Sequence, residues 1–467
     1  MASISSRVAY MPLSEVASLV AKKELSPVEL TQATLDRISA LDSQLHAYYT
    51  VFATEALAAA REAEAEIRGG HYRGPLHGMP IAVKDIYESG PTTGGSKLRK
   101  DYVAQQDCTS VKKLKQAGGV MLGKLATYEF AMGLPTLASY FQPARNPWNL
   151  EMDPGGSSSG SGAAVAAGLA FGAMGSDTGG SIRWPAFCCG IVGMKATYGR
   201  VSRAGVFPLS WNLDHTGPLT RTVKDCALML QACAGHDPLD PASANVPVPD
   251  FSAKLGRDLK GLRIGIPRTL FTDNCDKEIL AAFDKAVTQM AQLGAVLTDV
   301  ESITFGELWA VFWPLICADA AAYHLEDMKK RPGDYNPDLR LILAAGALVS
   351  ATSYLQSQRV REQIRRNMLK QLATVDLFML PTTGLMPARI RTEPPTSMWL
   401  LDENFAIYTP LFNLTGFPTL ALPCGFSSAG LPVGFQLAGK PFDEATVFQA
   451  GSAYEQSTPW YQRHPAL

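Results

Sequence analysis

The chain lacks several features that would assign it to a specialised class of protein. Its eight cysteines form no C-x-x-C pair and no Cys/His spacing of a metal site, and Cys188 and Cys189 are adjacent within an apolar run. We therefore expect reduced core thiols and no metal. Polar residues at 14 and 15 interrupt the apolar character of residues 1–20, so we expect neither a secretory leader nor a membrane span there, and the cytoplasm is the default location.

The chain also has almost no net charge, because 42 Lys and Arg residues face 43 Asp and Glu residues. This balance gives no electrostatic reason to expect a nucleic acid or an anionic membrane as a partner, and it favours a small, roughly neutral substrate. Apolar residues make up 46% of the chain, which is enough for a large core. No internal repeat or composition shift forces a split, so we expect one domain over residues 1–467.

The pattern of apolar residues predicts an α/β fold. Residues 1–70 carry helical periodicity, and a capping box at 26–29 places proline at the first position of a helix. Beyond residue 70, short apolar runs alternate with amphipathic stretches, which predicts a large central mixed sheet covered by helices on both faces. The predicted strands are 79–84, 120–123, 262–267, 296–300, 376–381, 419–423 and 433–438.

Residues 300–400 differ from this alternation. The stretch 305–370 is mostly helical in pattern and rich in Trp and Tyr, and 381–400 is an irregular stretch rich in Pro, Thr and Met. Long aromatic segments of this kind often cover a binding site, so we predict that residues 300–400 lie over the active site. Whether they move as a lid is left open.

The densest cluster of small and polar residues lies at 153–190. Two serine-bearing glycine turns, 155–157 and 179–181, flank a small-residue helical segment at 163–169. Because glycine tolerates positive φ, such turns can aim several backbone N–H groups at one point. That geometry suits a developing oxyanion, with Ser181 as the nucleophile once a base removes its proton.

These residues also resemble a known family. The runs P-G-G-S-S-S-G-S-G-A-A-V-A-A-G and G-S-D-T-G-G-S-I-R-W-P, together with G-P-L-H-G-M-P-I-A-V-K-D at 74–85 and G-L-P-V-G-F-Q at 430–436, are similar to the amidase signature family. Its members are serine hydrolases with a Ser–Ser–Lys triad. The resemblance covers most of the chain and implies the amidase signature fold, with residues 71–240 as the catalytic signature core.

The resemblance implies a role for each matching residue. Ser181 would be the nucleophile, Ser157 the bridge in a cis peptide, and Lys84 the base, for which the lysine must be neutral. The expected oxyanion donors are the backbone N–H groups of Thr178, Gly179, Gly180 and Ser181. The expected supporting residues are Ser158, Asp177 and Arg183, and the expected substrate-binding residues are Met132, Gly133 and Trp184.

The chain departs from the family pattern at two places. Members often carry Gly-Gly where this chain has Ser159-Gly160, and a proline where it has Ala196. Neither departure touches a triad position.

Two alternative functions remain to be weighed. The run 156–160 satisfies G-x-S-x-G, the nucleophile elbow of α/β-hydrolases, with Ser158 as nucleophile and His215 among the candidate bases. However, an elbow needs an apolar strand before the serine, and residues 146–154 are broken by proline and polar residues. A non-catalytic anion site is the other alternative, but the run lacks the Lys-Ser/Thr ending of a P-loop and the G-x-G-x-x-G fingerprint.

The substrate is less specified than the chemistry. One relative, the glutaminase component of the glutamyl-tRNA amidotransferase, acts on glutamine within a complex and typically has glutamine where this chain has Trp184. The indole, with Met132 and the aromatic stretch, indicates small hydrophobic or aryl amides, anilides or carbamates, with esters as a side activity. No cofactor is expected, a glutaminase is the alternative, and a homodimer is left open.

Overall fold

The computed structural model describes residues 8–393 and 407–467, and its centre is an eleven-stranded mixed sheet. The strand order is β1-β3-β2-β4-β6-β5-β10-β11-β9-β7-β8. In chain order the strands are β1 Tyr48–Val51, β2 Pro80–Lys84, β3 Val120–Leu125, β4 Gly172–Asp177, β5 Val192–Lys195, β6 His215–Thr220, β7 Arg263–Ile266, β8 Val296–Asp299, β9 Leu377–Pro381, β10 Thr419–Phe426 and β11 Pro432–Gly439.

Helices surround the sheet, and we number the α-helices of the described residues from α1. They are α1 Leu13–Ala21, α2 Pro27–Leu45, α3 Ala53–Arg68, α4 Thr109–Gln116, α5 Ser159–Ala166, α6 Arg183–Cys189, α7 Val223–Cys233, α8 Lys277–Gln292, α9 Phe305–Lys330, α10 Pro337–Gly346, α11 Ala351–Gln371, α12 Pro410–Thr415 and α13 Glu444–Gln456.

Both faces of the sheet are covered. Along β2, Ile81 and Val83 belong to one hydrophobic cluster whereas Ala82 between them belongs to another. Successive side chains of a strand point to opposite faces, so at β2 the two clusters lie on opposite sides of the sheet. At β9 the consecutive residues 377–380 all belong to the first cluster, which therefore covers both faces there. Helices α2, α3 and α5 contribute to the cluster that contains Ala82. The predicted α/β class with a mixed sheet is confirmed.

The pairing of three neighbouring strands brings the signature residues together. Strand β2 pairs in parallel with β3 and with β4, and Val83 is in register with Met174. The carboxyl ends of β2 and β4 therefore meet at one edge of the sheet, with Lys84 at the end of β2 and Asp177 at the end of β4. Strand β6 pairs antiparallel with the other side of β4 and places His215 opposite Asp177.

Three of the four strands that sequence reasoning missed lie in the signature region. All seven predicted strands are present, but β4, β5 and β6 were not predicted, because glycine and polar residues such as those of Gly172–Asp177 have low strand propensity. They are fully buried, so tertiary packing overrides that propensity. The small-residue helix predicted at 163–169 begins earlier, at Ser159, and ends at Ala166. Short strand β1 was also missed within the helical segment 1–70.

Helix α9 is, among the described residues, the single helix long and apolar enough by length and composition to cross a membrane. Half of its apolar window is buried inside the fold, and the helix packs against α10 and α11. A buried core helix of a globular protein has the same composition. The predicted helical stretch 305–370 is thus three helices, α9 to α11, separated by short breaks.

We predict that Gly160→Ala lowers the free energy of unfolding by about 1–3 kcal/mol, because a Cβ at Gly160 would overlap the backbone of Ala47 and Ala126, where α5 meets β1 and β3. The matched control is Gly306→Ala at the start of α9, where a Cβ meets no atom within 4 Å. That change should leave the stability equal or higher by up to about 1 kcal/mol. Urea denaturation of both variants measures this, and equal effects would contradict the packing.

Candidate active site

Lys84 lies at the buried end of β2 and is fully shielded from solvent. Its Nζ is 2.8 Å from Ser157 Oγ and 2.9 Å from Ser176 Oγ. Burial lowers the pKa of Lys84 to about 7, although the carboxylates of Asp177 and Asp214 act in the opposite direction. Near neutral pH a large fraction of this amine is therefore unprotonated and able to accept a proton.

Ser157 is held in a sharp turn before α5. The Gly156–Ser157 peptide is cis, and Gly155 before it has a φ of 77°. A Cβ at Gly156 would overlap the ring of Tyr128, and the backbone N–H of Tyr128 donates to the Ser157 carbonyl at 3.1 Å. The tight approach of the Tyr128 ring requires glycine before Ser157.

Ser181 lies in the turn between β4 and α6 and is partly exposed. Its carbonyl accepts the backbone N–H of Ser158 at 3.3 Å, which ties the two serine-bearing turns together. Within residues 8–393 and 407–467 the Ser181 hydroxyl makes no hydrogen bond, including none to Ser157. The described contacts thus contain the Lys84 to Ser157 half of the expected relay, and Ser157 and Ser181 line one cleft.

A buried ion pair braces the turn that carries Ser181. Arg183 is fully buried, and its five N–H groups all find acceptors. Nε and Nη2 donate to the Asp177 carboxylate at 3.0 and 2.8 Å, Nη2 also to Asn413 Oδ1 at 2.7 Å, and Nη1 to Gln436 Oε1 at 2.8 Å and the Thr409 carbonyl at 2.9 Å. The guanidinium holds the pKa of Asp177 well below its usual range.

The Asp177 carboxylate also accepts a hydrogen bond from one of the four expected oxyanion donors. The N–H of Gly180 donates to Asp177 Oδ1 at 2.8 Å, so this N–H is directed at the carboxylate and away from the cleft. The Thr178 hydroxyl donates to Asp214 at 2.6 Å. In the described part of the chain, the backbone N–H groups of Thr178, Gly179 and Ser181 donate to no protein acceptor. Of the four expected donors, these three remain free to bind a ligand.

A cleft of about 550 Å³ opens in front of Ser157 and Ser181. It is lined mostly by apolar side chains, and no charged residue is among its described lining. The three residues that the sequence analysis placed against the substrate, Met132, Gly133 and Trp184, all line it. Helix α9 contributes Trp309, Phe312, Trp313 and Ile316.

Helix α9, which belongs to the predicted cover 300–400, lines this cleft, and two carboxylates join the cleft wall to the start of α10. A Cβ at Gly179 would lie 2.6 Å from the Phe312 ring, so α9 sits directly over the Ser181 turn. Buried Glu129 accepts the N–H of Asn336 at 2.7 Å, and Asp338 accepts the N–H of Leu134 at 2.6 Å. Residues 394–400 of the predicted cover lie outside the described residues.

The alternative nucleophile Ser158 faces away from the cleft. It is fully buried, and its hydroxyl donates to the Ser176 carbonyl at 3.2 Å and accepts the Ser176 N–H at 3.3 Å. His215 Nδ1 donates to the Leu213 carbonyl at 2.6 Å, while burial keeps its pKa well below the usual value. No histidine contacts Ser158 in the described residues, so the geometry does not support a nucleophile elbow.

Sequence reasoning missed three residues that shape the site. Ser176 contacts Lys84, and Asn413 donates through Nδ2 to the Asp177 carboxylate at 2.8 Å. Thr409 donates through Oγ1 to the Gly179 carbonyl at 2.5 Å. Ser176 could have been found from its position one residue before Asp177, but Thr409 and Asn413 are more than 200 residues away in sequence and carry no local signal.

No group of three or more potential metal ligands occurs among the residues that the structure describes. The eight cysteines are unpaired thiols, and burial raises the pKa of both Cys188 and Cys189. Raised pKa values leave these thiols protonated and unreactive.

Comparison with known proteins agrees with this fold and site. The family model described as Amidase matches residues 29–448. An amidase from Pseudomonas putida is 43% identical over 99% of both chains, and the glutamyl-tRNA(Gln) amidotransferase A chain of Moorella thermoacetica is 43% identical over 98% of this chain and 99% of that protein. The solved structure of a bacterial aryl acylamidase has a TM-score of 0.88 and 29% identity, and the match covers 97% of each chain.

The fold and the cleft define an α/β protein with a serine-rich signature site. The chain belongs to the amidase signature family. This membership supports an amidohydrolase.

We predict that Lys84→Met removes a pH dependence from the stability. The folded pKa of Lys84 is about 7 and its ordinary value is 10.5, so between these values the unfolded chain holds a proton that the folded chain has released. The wild type should therefore gain about 1.4 kcal/mol per pH unit relative to Lys84→Met across this window. Denaturation of both proteins from pH 6 to 10 measures the difference, and a constant difference would contradict the depressed pKa.

Proposed function

We propose that the chain hydrolyses the C–N bond of small hydrophobic or aryl amides, anilides or carbamates through a Ser181 acyl-enzyme, with esters as a side activity. The observation that carries the proposal is the buried Lys84 amine, which contacts two hydroxyls and has a pKa of about 7. A lysine in this state is a base at neutral pH. Lys84 contacts Ser157, which lines the cleft together with Ser181.

In the first step, neutral Lys84 accepts the proton of Ser157, and Ser157 accepts the proton of Ser181. The freed Ser181 oxygen attacks the substrate carbonyl carbon and forms a tetrahedral oxyanion. We expect the N–H groups of Thr178, Gly179 and Ser181 to stabilise it, and one such donor is typically worth about 10²–10³-fold in rate. The relay requires the two serine hydroxyls to come within hydrogen-bonding distance when substrate binds.

In the second step, the tetrahedral intermediate collapses. The proton held by Lys84 returns through Ser157 to the substrate nitrogen, the C–N bond breaks, and the amine leaves. Water then attacks the acyl-enzyme by the same relay, which releases the acid and restores the Ser181 hydroxyl. Because Lys84 gives back the proton that it took, the cycle needs no cofactor or metal.

The lining of the cleft supports an apolar substrate. Trp184, Trp309 and Trp313 face it, and an aryl or alkyl group placed there would gain about 25 cal/mol for each Å² removed from water. Glutamine carries a charged amino group and a charged carboxylate. The described lining offers neither an acidic nor a basic side chain to pair with them, and burying unpaired charges is unfavourable.

The second candidate is a glutaminase of the tRNA-dependent amidotransferase type. The 43% identity to the Moorella thermoacetica amidotransferase chain over nearly the whole length favours it. The uncharged cleft argues against it, because the isolated chain would have to supply the missing partners from residues outside the described lining.

We also propose that the chain works as one domain on a small-molecule substrate. One sheet joins strands from β1 near the start of the chain to β11 near its end, which supports a single domain. The net charge of −1 gives no reason for a nucleic-acid or membrane partner, and the cytoplasm remains the proposed location.

We predict that Ser181→Ala abolishes hydrolysis of a hydrophobic anilide and that Lys84→Ala lowers kcat/KM by about 10²–10⁴-fold, because the attacking oxygen and its base are lost. Ser157→Ala should be severely impaired. A sulfonyl fluoride probe should label Ser181 in peptide mass mapping. Ser158→Ala is the matched serine control and should retain far more activity.

The pH profile checks the base. Wild-type kcat/KM should rise with pH through an ionisation near 7, because only neutral Lys84 accepts the serine proton. Lys84→Arg should be nearly inactive, since arginine stays protonated. An unaltered profile in Lys84→Ala would rule out this base, and a dead His215→Ala with native circular dichroism would favour the elbow instead.

We predict that the purified chain hydrolyses an aryl anilide or aryl carbamate faster than glutamine. Trp184→Gln should lower the ratio of the two rates, mainly by changing contacts with the acyl portion of the substrate. The physical reason is the loss of an apolar wall and the gain of a hydrogen-bonding amide in the cleft. Mass spectrometry of products from amides, anilides, carbamates, esters and glutamine gives the ratio. Faster glutamine hydrolysis would favour the glutaminase.

A further inference from the structure

A second chamber lies next to the candidate active-site cleft. It has an empty volume of about 810 Å³, against about 550 Å³ for the cleft. Its lining is mainly apolar and comes from the loop after Gly133, the turn before Ser157, the start of α6 and the segment after β9. Its lining residues include Leu134, Pro135, Leu385, Met386, Pro387 and Ile390.

Trp184 is the residue that both spaces share. Two pairs of consecutive residues also divide between them, since Gly156 and Gly133 line the cleft whereas Gly155 and Leu134 line the second chamber. The two spaces therefore adjoin at these residues, and Trp184 is the large side chain among them.

The second chamber contains a carboxylate with unused acceptor capacity. Asp153 receives the Tyr128 hydroxyl at 2.8 Å and the Gly155 N–H at 2.6 Å. A carboxylate has about four acceptor sites, so these two donors, the ones found among the described residues, leave part of its capacity unused. Two arginines, Arg389 and Arg391, also line the chamber. Arg389 is paired with Glu151 at 2.7 Å, and no ion pair within the described residues joins either arginine to Asp153. This arrangement suits a ligand whose tip donates a hydrogen bond.

We propose that Trp184 sets the maximum length of the acyl group, and that the second chamber is a latent extension of the substrate site for a long apolar acyl arm with a hydrogen-bond donor at its tip. The inference rests on the proposed hydrolysis. In the wild type the indole closes the cleft, and a small residue at position 184 joins the two spaces.

The test uses p-nitroanilides of straight-chain acids from four to twelve carbons. In the wild type, kcat/KM should rise with chain length and then level off or fall. In Trp184→Ala it should keep rising by about fourfold per added methylene beyond that limit, as burial of each methylene predicts. Trp184→Phe should give an intermediate limit, and it covers the case in which the alanine variant does not fold.

A second substitution tests whether the gain comes from the chamber. Met386→Trp fills the chamber, so in the Trp184→Ala background it should restore the wild-type length limit. Leu348→Trp, at a side chain that is 85% exposed, is the matched control and should leave the Trp184→Ala profile unchanged. Asp153→Asn should reduce the preference for ω-hydroxyacyl over plain acyl substrates of equal length.

The outcomes separate the two claims. Hydrolysis of the four-carbon anilide by Trp184→Ala with the wild-type length limit would overturn the chamber. Absence of hydrolysis of amides, anilides and carbamates by the wild type would overturn the proposed function, and binding measurements then test the chamber. Calorimetry of straight-chain carboxamides with Ser181→Ala, with and without Trp184→Ala, should show the same gain in affinity with length, and no gain would overturn the chamber.

Discussion

The candidate site depends on one constraint, which is that an amine without a directly paired carboxylate is kept out of water. Lys84 contacts the hydroxyls of Ser157 and Ser176 and, within the described residues, makes no direct ion pair, although Asp177 and Asp214 act on it at longer range. Had either carboxylate contacted Nζ, the attraction would have held the amine protonated. Removing water without supplying a direct counter-charge is what turns a lysine into a base near neutral pH.

The nearby negative charge of Asp177 is paired with Arg183 rather than with Lys84. The Asp177 carboxylate accepts hydrogen bonds from Arg183 and from the N–H of Gly180. Arg183 in turn has an acceptor for every N–H group. Breaking such a buried pair by removing one partner typically costs about 3–5 kcal/mol. The pair therefore fixes the turn of Ser181 and, at the same time, keeps the Asp177 carboxylate from pairing directly with Lys84.

The cleft surrounds Ser157 and Ser181 with mostly apolar side chains. Helix α9 places aromatic rings over the Ser181 turn, and Glu129 and Asp338 join the cleft wall to the start of α10. A low-dielectric cover strengthens the hydrogen bonds that a developing oxyanion would receive. The described lining of the cleft offers no ionic partner to a ligand.

The sequence by itself determined the family, the α/β class and which serines and lysine to examine, because local patterns carry these. The apolar run that ends at Lys84 predicts a strand, and the two glycine-rich runs predict turns in which the backbone can approach a ligand closely. Tertiary structure alone decided that Gly180 gives its N–H to Asp177 and that Asn413 and Thr409 brace the turn from over 200 residues away. The reason is the strand order, since β4 lies between β2 and β6 and no local propensity records which distant segment packs beside it.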